Sequence, residues 1–165
     1  MLICLGRHTA CIKYDQTVKT VTGDNCVKVL IIEDNDSLRM MFQAFFEEMG
    51  FTTEAAENGS VAFKKIQESD YDVILSDMDM PVVNGMEFYQ LVSSYRPDML
   101  DRIVFATGNS CNGDYRKFFD QISCPVLYKP FPLAELEGTV SMLTQNRFNG
   151  RTRADDSGGI MPIYA

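Results

Sequence analysis

With 165 residues, 45% of them hydrophobic, the chain is long enough for one domain with a sizeable core and some surplus. A formal net charge of -8 argues against non-specific nucleic-acid binding, which needs clustered Lys and Arg, and no run of about eighteen apolar residues offers a membrane span. Five cysteines, an odd number, with no signal peptide read as reduced thiols, so the predicted compartment is the cytoplasm.

Residues 1–26 form an N-terminal extension outside the pattern that follows, compatible with a loose hairpin, a disordered segment, a remnant of an upstream domain or a mistaken translation start. Cys4, His8 and Cys11 imitate half of a metal site, but no second ligand pair follows nearby. The first predicted strand is 27–32, short, apolar and closed by Glu33-Asp34. Asn35-Asp36-Ser37 supplies helix-capping side chains. Leu38, Met41, Phe42, Phe45, Phe46 and Met49 then recur at helical spacing up to Gly50. A weak strand over 51–56 and a short helix carrying Val61, Ala62 and Ile66 come next.

Val73, Ile74 and Leu75 have the composition of a strand buried on both faces, and the run stops at Ser76-Asp77. Asp79 follows, Met80-Pro81 breaks the backbone, and Asn84-Gly85 turns it into a helix that Arg96-Pro97 closes. A fourth strand over 102–106 ends in Thr107. A helix is expected over 114–122, a fifth strand over 125–128 ends in Lys129-Pro130, and a last helix carrying Leu133, Leu136, Val140 and Leu143 ends near Gln145. Residues 147–165 lack a periodic apolar pattern and read as a flexible tail. Residues 27–146 therefore make the folded domain. Five strands alternating with five helices predict an α/β fold, a flavodoxin-like (βα)5 doubly wound sandwich with a five-stranded parallel sheet of order 2-1-3-4-5.

Such sheets bind ligands beyond the carboxyl ends of their strands. Here that edge receives two acids, Glu33 and Asp34, a third, Asp77, a hydroxyl, Thr107, and an ammonium, Lys129. Singly, each has an ordinary reading: a solvated acidic loop, a strand-end cap, a surface cation. Met78, Met80, Met40 and Met41 read as packing.

The segment 27–145 resembles the receiver domain of two-component response regulators. The resemblance is carried by Glu33-Asp34, by the arrangement Asp77, Met80, Pro81, Gly85, by the strand-end Thr107 and by Lys129-Pro130-Phe131. The stretch FATGNSCNGDYRKFFDQISCPVLYKPF also looks like receivers attached to hybrid histidine kinases. The resemblance implies a phosphoacceptor module of a two-component or phosphorelay system. Asp77 takes a phosphoryl group from a phosphohistidine, and the partner is a sensor histidine kinase or a histidine phosphotransfer protein. Such a domain is a signalling module, not an enzyme beyond catalysing its own phosphorylation and dephosphorylation. In that reading Lys129 pairs with one phosphoryl oxygen, Thr107 donates to another, and Lys129-Pro130 is a cis peptide.

Clustered carboxylates repel by about 4 kcal/mol per close pair at an effective dielectric of ~20, so they call for a cation. Magnesium suits hard oxygen ligands. Asp34 and Asp77 are the expected direct ligands, the backbone carbonyl of Asp79 a third, and Glu33 the group that orients a metal-bound water. The chain departs from the family's commoner pattern at Glu33, where Asp is usual, and at Val126, where an aromatic switch residue often stands three positions before the lysine. The response is therefore expected in residues 107–122 instead of in a rotating ring. The alternative is a pseudo-receiver, an interaction domain that acts independently of phosphorylation. A hydrolase of the haloacid-dehalogenase kind also uses D-x-D with magnesium, but there the motif ends the first strand, and here it ends the third.

Overall fold

The computed structural model describes residues 26–108 and 113–151. The segments 1–25 and 152–165, which hold nearly all of the extension and most of the tail delimited above, lie outside the described residues, as does 109–112.

Five parallel strands, β1 (Lys28–Ile32), β2 (Thr52–Ala56), β3 (Val73–Asp77), β4 (Ile103–Thr107) and β5 (Val126–Tyr128), form one sheet of order β2-β1-β3-β4-β5. The crossovers carry α1 (Asp36–Glu48), α2 (Gly59–Glu68), α3 (Gly85–Tyr95) and α4 (Gly113–Phe119), and α5 (Leu133–Arg151) follows β5. This is the doubly wound order expected from the alternation of elements.

Strand alternation divides the core in two. Val29, Ile31, Val73, Leu75, Val104, Ala106 and Leu127 face Phe42 and Phe46 of α1 and Leu136 and Val140 of α5. Leu30, Ile32, Ile74, Ile103 and Phe105 face Ala62, Ile66, Phe88 and Val92 on the opposite side. Burial stabilises by about 1.5–3 kcal/mol for each large side chain, and the central strands β1, β3 and β4 are buried along almost their whole length. Helix α1 starts where Asn35 Oδ1 accepts from Leu38 N at 3.1 Å. It stops at Gly50, whose φ of 83° suits a residue without a Cβ.

Several boundaries differ from the sequence expectation, four of them for a local physical reason. A 3-10 turn, Pro97–Arg102, intervenes before β4, and Arg102 turns its guanidinium onto the Tyr71 carbonyl at 2.8 Å, so the strand begins one residue later. Helix α4 ends at Phe119, not at Ile122, because Gln121 N and Ile122 N bond back to Phe118 and Phe119 carbonyls, the tighter three-residue repeat. Strand β5 begins at Val126, since Pro125 has no N–H and contributes only its carbonyl, to Phe105 N at 2.9 Å. Helix α5 runs to Arg151, six residues past Gln145, because the apolar stripe ends at Leu143 but no proline stands between there and Arg151 to break the backbone.

On the β2 side, Glu54 collects three donors: Lys28 Nζ at 2.7 Å, Lys65 Nζ at 2.9 Å and the Tyr71 hydroxyl at 2.9 Å. The hydrogen bond from Lys28, opposed by burial and reinforced by Lys65 and Tyr71, lowers the Glu54 carboxyl to about 2. A depressed acid contributes stability above its ordinary value of 4.5 and loses it as pH falls toward about 2. Glu54→Gln is therefore expected to lower the melting temperature near neutral pH, with the gap to wild type closing on acidification through that window; thermal unfolding followed by circular dichroism across the range checks it.

Candidate functional site

Four of the five strands deliver a polar side chain at or just past their carboxyl ends, and the sheet places those ends together. Glu33 follows β1, Asp77 closes β3, Thr107 closes β4 and Lys129 follows β5. Backbone bonds between strand ends fix their separation: Glu33 N to Ala56 O at 3.1 Å, Met78 N to Ala106 O at 3.1 Å and Lys129 N to Thr107 O at 2.7 Å. Glu33, Asp77 and Thr107 are buried, with 2%, 7% and 1% of their surface exposed, whereas Asp34 is exposed.

The Lys129 ammonium joins the acids, 2.8 Å from Glu33 Oε2 and 3.1 Å from Asp77 Oδ1. The peptide Lys129-Pro130 is cis, and Phe131 beyond it stacks on Phe42 of α1 with ring centroids 6.2 Å apart. An apolar groove of about 420 Å³, lined by Leu38, Met41, Phe42, Pro130 and Phe131, flanks Lys129. Apolar surroundings strengthen an ion pair by lowering the local dielectric. Burial works against the Lys129 charge, but the hydrogen bond to Glu33 and the charges of Asp77 and Glu33 outweigh it and raise the ammonium above its usual range. Burial, with the Glu33 charge adding to it, raises the Asp77 carboxyl, against the pull of Lys129 and of the Met78 N–H. Met78 N donates to the same oxygen, Asp77 Oδ1, at 2.9 Å. Both contacts fall on Oδ1, so Oδ2 receives no hydrogen bond among the described residues.

One oxygen each from Glu33, Asp34 and Asp77 lie within 4.8 Å of one another. Three hard carboxylate oxygens at that spacing fit a small divalent cation such as magnesium. Arg39, on the first turns of α1, donates to the Glu33 carbonyl at 2.7 Å and so holds the β1 end from behind.

The loop after Asp77 folds back on the strand because Gly85 lets it. Gly85 N donates to Met78 O at 3.1 Å, and a Cβ on Gly85 would lie 2.6 Å from the Asp77 carbonyl oxygen and 2.8 Å from Met78 Sδ. Asn84 and Glu87 then close a reciprocal capping box on α3. At the loop's tip Val82 has φ 71°, a conformation that costs a β-branched residue about 1–2 kcal/mol. The loop is held there by Val83 N to Pro81 O at 2.9 Å and Gly59 N to Val83 O at 3.0 Å.

Sequence reasoning missed one member of this neighbourhood. Tyr115 of α4 donates its hydroxyl to Asp79 Oδ1 at 2.7 Å, and burial together with that bond pushes the phenol up to about 12. It stands inside the helix expected over 114–122, where no local pattern points to Asp79.

Five parallel strands in this order, with an acidic trio, a hydroxyl and a half-buried ammonium at the carboxyl edge, define the class of signalling receiver domains. The sequence profile of the response regulator receiver domain family matches residues 29–141, and the chain belongs to that family. It is a receiver domain of two-component signal transduction. It is 28% identical over 130 residues to hybrid signal transduction histidine kinase K of Dictyostelium discoideum, covering 74% of this chain and 11% of that protein. To the response regulator receiver protein CpdR of Brucella abortus it is 26% identical over 116 residues, covering 70% of this chain and 95% of that one. The chain thus spans a small part of the hybrid kinase and nearly all of the receiver protein CpdR. Among solved structures, chemotaxis response regulator CheY4 of Vibrio cholerae superimposes with a TM-score of 0.64 at 28% identity, covering 72% of this chain and 99% of that one. TrrA of Thermotoga maritima, solved in complex with Mg(2+)-BeF, gives 0.61 at 25% identity, covering 71% and 98%. Among the described residues, no helix is long and apolar enough to cross a membrane.

Gly85→Ala places a methyl group against the backbone that carries Asp77. It is expected to cost about 1–3 kcal/mol of stability in urea unfolding, since backbone has to move to admit it.

Proposed function

We propose that Asp77 is the phosphoacceptor of this receiver, that Thr107 and Lys129 receive the phosphoryl oxygens, and that magnesium is held by Asp34, Asp77 and the Asp79 backbone carbonyl, with Glu33 orienting a metal-bound water. The single observation that carries this reading is Lys129 Nζ lying between Glu33 and Asp77 at the mouth of the acidic trio. The donor is a phosphohistidine on a sensor histidine kinase or a histidine phosphotransfer protein.

In the transfer, the P–N bond to the donor imidazole breaks as a bond forms between phosphorus and Asp77 Oδ2, the oxygen that neither Lys129 nor Met78 engages. The imidazole nitrogen leaves with the electron pair and takes up a proton. Burial keeps the Asp77 carboxylate poorly solvated and therefore more nucleophilic than a surface aspartate. The magnesium ion supplies charge neutralisation of the phosphoryl oxygens. Lys129 is already charged and positioned, so it exchanges a carboxylate partner for a phosphoryl oxygen without ordering a free side chain. A reading as an interaction domain indifferent to phosphate gains no support, because acids, hydroxyl and ammonium are all in place. Hydrolysis of the aspartyl phosphate returns the site to its starting state, the only turnover this reading assigns to the domain. The cytoplasm is the compartment where such donors are met.

The signal leaves through Thr107. A hydrogen bond from its hydroxyl to the phosphoryl group is charge-assisted and about twice as strong as a neutral one. Gly108 and Gly113 both have open space where a Cβ would stand, and Val126 has no ring to rotate. The response therefore reaches α4.

Incubation with acetyl phosphate and magnesium is expected to add one phosphoryl group to the intact mass, and Asp77→Asn to abolish the addition; a mass shift that survives in the variant removes Asp77 as the acceptor. In magnesium titrations Asp34→Ala is expected to weaken binding more than Glu33→Ala, a direct ligand against a water-mediated one. Amide hydrogen exchange of the beryllofluoride adduct, a stand-in for the aspartyl phosphate, should change mainly over residues 107–122; changes confined to 126–131 would rule this route out.

A further inference from the structure

Asp79 enters the site through its backbone carbonyl, and nothing in the reading above gives its carboxylate a task. That carboxylate is exposed and only two residues beyond the phosphoacceptor. An arriving phosphoryl group brings a charge of about -1.5 to -2. A fourth acid able to swing toward it adds repulsion at the step where charge is already hardest to accommodate, since Lys129 is the cation that Glu33 and Asp77 share.

The structure ties this carboxylate down. Tyr115 is 9% exposed and belongs to the core cluster that holds Met78 and Phe105, and its ring lies against Phe119 with centroids 6.5 Å apart. A ring packed on this scale has little freedom, so its hydroxyl stands at a fixed place, 2.7 Å from Asp79 Oδ1. Tyr115 and Asp79 are 36 residues apart, and the bond joins α4 to the loop after β3. We propose that Tyr115 is a positioning residue for phosphoryl transfer: its hydroxyl holds the Asp79 carboxylate toward α4 and out of the space an incoming phosphoryl group takes.

The inference rests on Asp77 being the acceptor, and its test separates the two. Tyr115→Phe keeps the buried ring and removes only the hydroxyl. With acetyl phosphate the P–O bond to acetate breaks as the bond to Asp77 forms, and intact mass against time gives the rate. At low ionic strength Tyr115→Phe is expected to slow phosphorylation about five-fold, the factor that corresponds to one net hydrogen bond. The deficit should shrink in high salt, which screens the released charge. In an Asp79→Asn background, where no charge remains to hold, Tyr115→Phe should leave the rate of that background unchanged, so that the two substitutions are not additive. An equal loss in both backgrounds would mean that Tyr115 serves only the packing of α4 and would overturn the proposal, as would a wild-type rate for Tyr115→Phe. If the wild-type chain takes no phosphoryl group at Asp77, the functional reading fails instead.

Discussion

The arrangement depends on one ammonium group. Lys129 Nζ is the cation in contact with two buried carboxylates, Glu33 and Asp77, that arrive on different strands. Without it, two acids in a low-dielectric edge would face each other, and removing one partner of a buried pair commonly costs about 3–5 kcal/mol. The lysine is thus a structural tie between β1, β3 and β5 and, in the proposed chemistry, the group that meets the phosphoryl oxygen. In that proposed chemistry, exchanging one anionic partner for another would let a single residue serve both states.

That tie works only because the strands are parallel and end level. Parallel crossovers return each strand in the same direction, so all five carboxyl ends lie on one edge and the helices close both faces behind it. The loop after β3 is then pressed onto the strand it leaves. Gly85 and Gly59 stand where any Cβ would strike backbone, and three backbone hydrogen bonds hold Val82 in a conformation it would not choose alone. A loop so constrained presents the carbonyl and carboxylate of Asp79 in one place, which a freer loop would not.

The other end of the site is looser. Phe105 of β4 lies among Tyr89, Phe118 and Phe119, with centroid separations from 5.8 to 6.2 Å, so α3 and α4 share one aromatic layer over the sheet. Val126 borders the same layer as a partly buried side chain, too short to act as a lever in it. Helix α4 is only seven residues long and begins at a glycine with open space around it. Its contact with the acidic edge runs through Tyr115. Stiff strands on one side and a short helix that begins at an unobstructed glycine on the other give the molecule a place to move.

Much of this was legible in the sequence, because short-range patterns report what the chain does locally. The β-branched runs ending in Glu33, Asp77, Thr107 and Lys129 announced strands that carry polar groups to one edge, and the regular alternation of strand and helix announced a parallel sheet. The Lys-Pro-Phe and Asp77-to-Gly85 signatures led to the family, whose profile the chain matches. Boundaries were less legible, since the end of a helix such as α4 or α5 is settled by which carbonyl the next N–H finds. Long-range pairings were not legible at all. Lys129 reaches Glu33 across 96 residues and Tyr115 reaches Asp79 across 36, and nothing in the neighbourhood of either residue names its partner. Local chemistry determined which groups stand at the edge; the tertiary fold decided which of them touch, because contact is fixed by the packing of elements and not by their order along the chain.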